Sequence, residues 1–206
     1  MGYHWSWMFG SEDVLNLRNN LGFYFSSTST NSVLVVNDVQ YKPASGTARY
    51  SVSMDSGLNM RFPVKSISGL SQGVCTVAVR KKYDAGLNTE YLLAVQSNGS
   101  NRTIGVGMSN AGGLKLYVDS TFKANSAGSY DWNNWHQVSL AWDMSNATWK
   151  DKGYVNGVEA IAEQTDARAV DTAGYVFVEG CGTTDRSWYV GQAIWNDAYT
   201  DAVPNR

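Results

Sequence analysis

The chain has 206 residues, a length that suits one large β sandwich and is enough to bury a core without covalent staples. Charged residues make up only 17% and the net charge is −2, so the positive footprint that nucleic-acid binding needs is missing; the densest basic cluster is Arg80-Lys81-Lys82. No apolar run approaches the ~20 residues that span a bilayer, and Ser, Thr, Asn and Gly supply the polarity, as strands joined by many turns require.

The first residues differ from the rest. Met1 to Phe9 is aromatic and has neither a basic start nor a small-residue cleavage site, so it does not read as a secretory signal. Tyr3, Trp5, Trp7 and Phe9 are expected to form a partner-docking arm, because exposed aromatic clusters mark interfaces. Ser11, followed by Glu12, Asp13, Val14, Leu15 and Leu17, predicts a short helix stopped by Asn19, Asn20 and Gly22. A Ser/Thr/Asn loop over 26–32, a short strand over 33–36 and a Lys42-Pro43 turn complete the segment. Residues 1–46 are therefore set apart as an N-terminal extension, and residues 47–206 as the body.

From Thr47 the hydrophobic period is two. Tyr50, Val52 and Met54 share one face of a strand; Leu58, Met60 and Phe62 share the next. Cys75, Val77 and Val79 follow, then Tyr91, Leu93 and Val95, then Ile104, Val106 and Met108, then Leu114, Leu116 and Val118. Val138, Leu140 and Trp142 define another strand, and Asn156-Gly157 predicts a tight hairpin between Tyr154-Val155 and Val158 to Ala162. Tyr175 to Val178 and Trp188 to Trp195 close the series. About eleven short strands with Gly or Asn turns and no long amphipathic helix predict an all-β, two-sheet antiparallel sandwich.

The phase of Cys75 makes it a core residue, and a buried free thiol is favoured over a Cys75–Cys181 disulfide. Two cysteines with His4 and His136 lack zinc-ligand spacing.

One stretch is more specific. Tyr130-Asp131-Trp132-Asn133-Asn134-Trp135-His136-Gln137-Val138 runs into Leu140-Ala141-Trp142-Asp143, and then comes Tyr154-Val155-Asn156-Gly157-Val158. This order resembles the laminin G-like and concanavalin A-like lectin/glucanase superfamily, in which a Trp-His opens a strand and a hairpin ends in an aromatic-Val-Asp/Asn-Gly turn. Val190 to Asn196 with Asp201-Ala202-Val203 is similar to the closing strand of that superfamily, so the resemblance covers residues 47–203. It implies a jelly-roll sandwich that recognises a glycan or a protein surface through loops on one rim.

Trp135, Trp142 and Trp195 read first as packing anchors, since large aromatics dominate core burial. The ligand-binding expectation falls on the loop residues Tyr130, Asp131, Trp132, Asn133 and Asn134, where an exposed ring would stack on a sugar and the polar groups would bond its hydroxyls. Some members of the superfamily hold calcium; Asp84, Asn88, Asp119 and Asp131 are the loop oxygens to consider, without a matched metal motif.

Glycosidases of the superfamily carry Glu-x-Asp-x-x-Glu on one strand, and glycoside hydrolysis needs two carboxyl groups flanking the bond. The closest pairs here, Glu12-Asp13, Glu159 with Glu163, and Asp166 with Asp171, do not reproduce that pattern. No Gly-x-Ser-x-Gly elbow or phosphate-cradling loop is present. The expectation is a non-enzymatic recognition or structural protein, most readily a virion-associated one such as a capsid decoration or tail fibre. It would act in a virion or outside the cell, contacting other virion proteins, its own copies or a glycan. A stand-alone lectin-like module and a glycoside hydrolase with an unrecognised carboxylate pair are the alternatives.

Overall fold

The computed structural model describes residues 5–8, 24–27, 35–41, 49–54, 58–61, 69–81, 89–109, 111–179 and 188–196. Fifteen strands account for most of them: β1 (Trp5–Met8), β2 (Tyr24–Ser27), β3 (Val35–Tyr41), β4 (Arg49–Met54), β5 (Leu58–Arg61), β6 (Gln72–Lys81), β7 (Thr89–Ser97), β8 (Thr103–Met108), β9 (Leu114–Val118), β10 (Thr121–Asn125), β11 (His136–Asp143), β12 (Thr148–Val155), β13 (Val158–Ala167), β14 (Ala173–Glu179) and β15 (Trp188–Asn196). Among the described residues there is no helix, and none long and apolar enough to cross a membrane.

The strands form two antiparallel sheets. The first runs β13-β12-β11-β6-β15-β4-β3, with β1 added to β15; the second runs β10-β9-β8-β7-β14-β5-β2. The expected all-β sandwich is the observed architecture. Alternation explains the core directly: Cys75, Val77 and Val79 on β6 and Val138, Leu140 and Trp142 on β11 meet Leu93 and Val95 on β7, Ile104, Val106 and Met108 on β8, and Leu114, Leu116 and Val118 on β9. Cys75 is a free thiol, fully buried, and burial raises its pKa far above that of an ordinary cysteine. Cys181 lies outside the described residues.

Turn chemistry fixes the register. Asn156 (φ 53°) and Gly157 (φ 78°) form the two-residue turn between β12 and β13 that the sequence predicts, with left-handed φ at both positions. Asp119 (φ 50°) and Ser120 (φ 59°) make the same kind of turn between β9 and β10.

Two expectations are corrected. The sequence pattern places Tyr91 on one face with Leu93 and Val95, but the pairing of β7 with β8 is irregular between Thr89 and Leu93. Four steps on β7 oppose two on β8 there, and with both Leu92 and Leu93 in the core, Tyr91 lies on the opposite face. The return strand of the hairpin extends to Ala167 rather than Ala162. The segment 1–46 contributes strands to both sheets: β1 pairs with β15, β2 with β5 and β3 with β4. The expected helix over Ser11 to Leu17 lies outside the described residues.

Candidate functional site

The predicted loop is built around Trp132. Its side chain is 1% exposed and belongs to the core. Its indole Nε1–H donates to the Gly112 carbonyl at 2.8 Å, and its own carbonyl accepts from the Lys81 N–H at 2.9 Å. The expectation that Trp132 offers an exposed stacking surface is therefore corrected: a large ring at the rim gains more by covering the end of the sandwich than by standing in water. Tyr130 is half-buried, edge-on to Trp132 at 5.4 Å and to His136 at 5.9 Å. Asp131 is exposed and accepts from the Asn133 N–H (3.1 Å), Asn133 Nδ2 (2.9 Å) and Asn134 Nδ2 (2.9 Å), a side-chain-stabilised turn. His136 is held between the Asp131 carbonyl (2.9 Å) and Asn156 Nδ2 (3.0 Å). The five residues thus come together, but as a turn braced on a buried ring.

Of the expected docking residues, Trp5 and Trp7 fall in β1, in register with Trp195 and Ala193 of β15. Tyr3 and Phe9 lie outside the described residues, as do Asp84 and Asn88. Asp119 is taken up by Arg102 (2.9 Å), Arg168 (3.1 Å) and the Thr103 N–H (2.9 Å). Among the described residues no group of three or more His, Cys, Asp or Glu is arranged to hold a metal ion.

A different feature stands on the outer face of the second sheet. In β9, Tyr117 lies between the core residues Leu116 and Val118; in β14, Tyr175 and Phe177 flank Val176. Alternation sends these rings away from the core. Register aligns Phe177 with Ala94, Ala94 with Gly105, Gly105 with Tyr117, and Tyr117 with Phe122, one row across five strands. The middle of the row has a low floor. A Cβ at Gly105 would overlap Tyr91 Cδ1 and lie 2.8 Å from the Ala94 methyl, so glycine is what allows the bulged Tyr91 ring to lie flat over the sheet.

The rings touch in sequence. Centroids are 5.8 Å apart for Tyr175–Phe177, 6.4 Å for Phe177–Tyr91, 6.1 Å for Tyr91–Tyr117 and 6.0 Å for Tyr117–Phe122. Three of the four contacts are edge-to-face, the favoured aromatic geometry. The backbone N–H of Ser120 donates to Tyr91 Oη at 2.6 Å, and the Tyr175 hydroxyl donates to Gln96 Oε1. Phe122 is 49% exposed. Polar residues border the row on the same face: Gln96 aligned with Thr103, and Lys115 with Asn125. The signal for this cluster was present in the sequence as aromatic residues out of phase with the aliphatic face of β9 and β14.

No protein-family model matches the chain, and no curated protein matches it in sequence. Solved structures do match it in shape. Domain 4 of AbnA, a GH43 extracellular arabinanase from Geobacillus stearothermophilus, in complex with arabinotriose, superposes with a TM-score of 0.59 at 16% identity, over 92% of this chain and 91% of that one. The cellulose induced protein Cip1 gives 0.57 at 10% identity, over 85% of this chain and 91% of that one. The sialidase of Trypanosoma rangeli, in complex with the inhibitor DANA, gives 0.54 at 12% identity over 85% of this chain, which spans only 30% of the length of that enzyme. At these identities the likeness is one of fold, and the fold is the two-sheet jelly-roll sandwich of which all three carry a copy.

Proposed function

We propose that this chain is a non-catalytic glycan-binding module that uses the outer aromatic face of its second sheet. The observation that carries the reading is the row of rings from Phe177 to Phe122 over the low floor of Ala94 and Gly105, with Phe122 left 49% exposed. Phe122 is exposed, Tyr91, Tyr175 and Phe177 are half-buried, and Tyr117, at 8% exposed, supports the row from beneath. The open ring surface presents a negative π face to the polarised C–H groups of a sugar, and Gln96, Thr103 and Asn125 lie where hydroxyls would be met. The fold likeness supports the same class: the arabinanase domain was seen with arabinotriose.

The absence of catalysis is part of the proposal, and the carboxylates support it. Asp119, Asp166 and Asp171 are each engaged by cations or N–H groups, while Glu159 and Glu163 face Lys152 and Lys150 at 3.8 Å and 3.6 Å. A pair flanking a sugar bond needs one carboxyl group held protonated and one held bare, and Asp151, the carboxyl that burial keeps protonated, is 1% exposed and out of a sugar's reach. The structures named above belong to carbohydrate-related proteins, and none is a virion component, so a virion setting is left out of the proposal.

A glycan array probed with the full chain and with Phe122→Ala tests the reading. Binding to a defined group of glycans, weakened about threefold to tenfold by the substitution, is the expected result. Equal binding by both proteins sends the ligand to another surface, and release of reducing sugar from a bound glycan overturns the non-catalytic assignment.

A further inference from the structure

We infer that, resting on the glycan-binding reading above, the face receives an internal stretch of a single, soluble, linear glycan chain lying across the strands, not a chain end and not the flat face of a crystalline polymer.

Three observations lead there. The first is length. The ring path crosses β14, β7, β8, β9 and β10, adjacent in the sheet. With strands about 4.8 Å apart, four steps cover about 19 Å, room for several consecutive sugars. Tyr175, Phe177 and Tyr91 are half-buried and Phe122 is exposed along this path, with Tyr117, 8% exposed, packed beneath it as support.

The second is tilt. Successive rings are turned by 49° from Tyr175 to Phe177, 68° to Tyr91, 67° to Tyr117 and 71° to Phe122. Rings turned against one another by these angles cannot all lie flat on one planar surface. Rings that turn at every step suit a free chain whose sugars rotate from one to the next. The third is openness. Phe122 ends the path on the edge strand β10 and is 49% exposed, so the path runs out over the sheet edge and a chain can continue past it.

The test measures binding by the full chain to arabino-, xylo- and cello-oligosaccharides, each from the disaccharide to the hexasaccharide, and to microcrystalline cellulose. For at least one series, affinity is expected to rise about tenfold or more between the disaccharide and the pentasaccharide and then level off. Phe122→Ala and Tyr175→Ala, at opposite ends of the path, are each expected to shorten the length at which affinity levels. Tyr175→Phe keeps the ring and is expected to keep the wild-type profile, which separates loss of stacking from loss of the hydroxyl bond to Gln96. Near-ultraviolet circular dichroism checks that each variant is folded.

Full affinity for the disaccharide, retention on cellulose without binding of soluble oligosaccharides, or unchanged length profiles in both folded alanine variants would each overturn the inference while leaving a glycan site standing. Failure to bind any glycan, in these series and on the array, instead removes the reading on which it rests.

Discussion

Asp151 is a carboxyl group where the fold provides nothing to meet it. It lies on the inward face of β12, in register with Trp142 on β11, and is 1% exposed. Neither of its oxygens nor the Trp142 Nε1 has a hydrogen-bond partner. Burial, with Asp166 and Glu163 adding repulsion against the opposing pull of Lys123, pushes its pKa up to about 7. The sign follows from linkage. Below the unfolded value near 3.8 both states hold the proton; between that value and about 7 only the unfolded state ionises, so stability falls as pH rises; above about 7 the full penalty stands. A shift of this size corresponds to about 4 kcal/mol at most. Asp151→Asn is expected to raise the melting temperature at pH 8 and leave it almost unchanged at pH 4, as thermal scans across that range would record. Trp132 gives the opposite case, a polar atom buried with its partner. Trp132→Ala removes both the ring and the bond to Gly112, and is expected to cost about 3–5 kcal/mol in urea unfolding.

Between strands, the chain uses side chains to fasten loops. Asp171 joins the loop before β14 to the turn between β7 and β8, accepting from the N–H groups of Gly99 (2.8 Å), Ser100 (2.9 Å) and Thr172 (2.8 Å) and from the Ser100 hydroxyl (2.6 Å). Burial acts to raise its pKa, but the bonds from Ser100, Gly99 and Thr172 outweigh it and hold the carboxyl down at about 2. The stability it supplies is present above the ordinary carboxylate range and is lost as pH falls toward 2. Asp171→Ala is expected to cost about 1–3 kcal/mol at pH 7 in denaturant unfolding, and much less at pH 2. The strands themselves were legible where large apolar side chains recur at every second position, as in β6, β8, β9 and β11, although the residues between them are largely buried too. β10 escaped because it is an edge strand: Thr121 and Phe122 are exposed, and only Ala124 packs on the core. Tyr91 escaped because a bulge is set by pairing, which period counting does not see. The rim loop at Tyr130 to Asn134 was legible as a turn, but nothing in its local sequence says which way Trp132 faces. The aromatic row is assembled from five strands by register, a long-range property.

At the scale of the molecule, the edge strands β10 and β13 are fastened across the mouth of the sandwich. Lys123 on β10 meets Asp166 on β13 at 3.2 Å; Arg168 reaches both Asp166 (2.9 Å) and Asp119 (3.1 Å) and lies 5.9 Å over the Trp149 ring. Because these groups are largely shielded, Arg168→Ala loses packing on Trp149 as well as charge. It is expected to destabilise by about 1–2 kcal/mol, with part of that loss persisting in high salt, where exposed ion pairs are screened. Removal of residues 1–46 is a larger change. It strips β3 from β4, β2 from β5 and β1 from β15, exposing backbone on both sheets. A shortened chain starting at residue 47 is expected to be recovered in an aggregated or partly folded form, read by size-exclusion chromatography.

The pairing of β1 with β15 also sets a schedule. Trp5 aligns with Trp195, so β1 finds its sheet neighbour only after all the strands between them have been made. Until then its backbone has no neighbour to pair with in that sheet. Synthesis therefore includes a waiting period in which an unpaired strand needs shelter, and ribosome-stalled chains ending before residue 188 should be captured by holdase chaperones far more than chains that include β15.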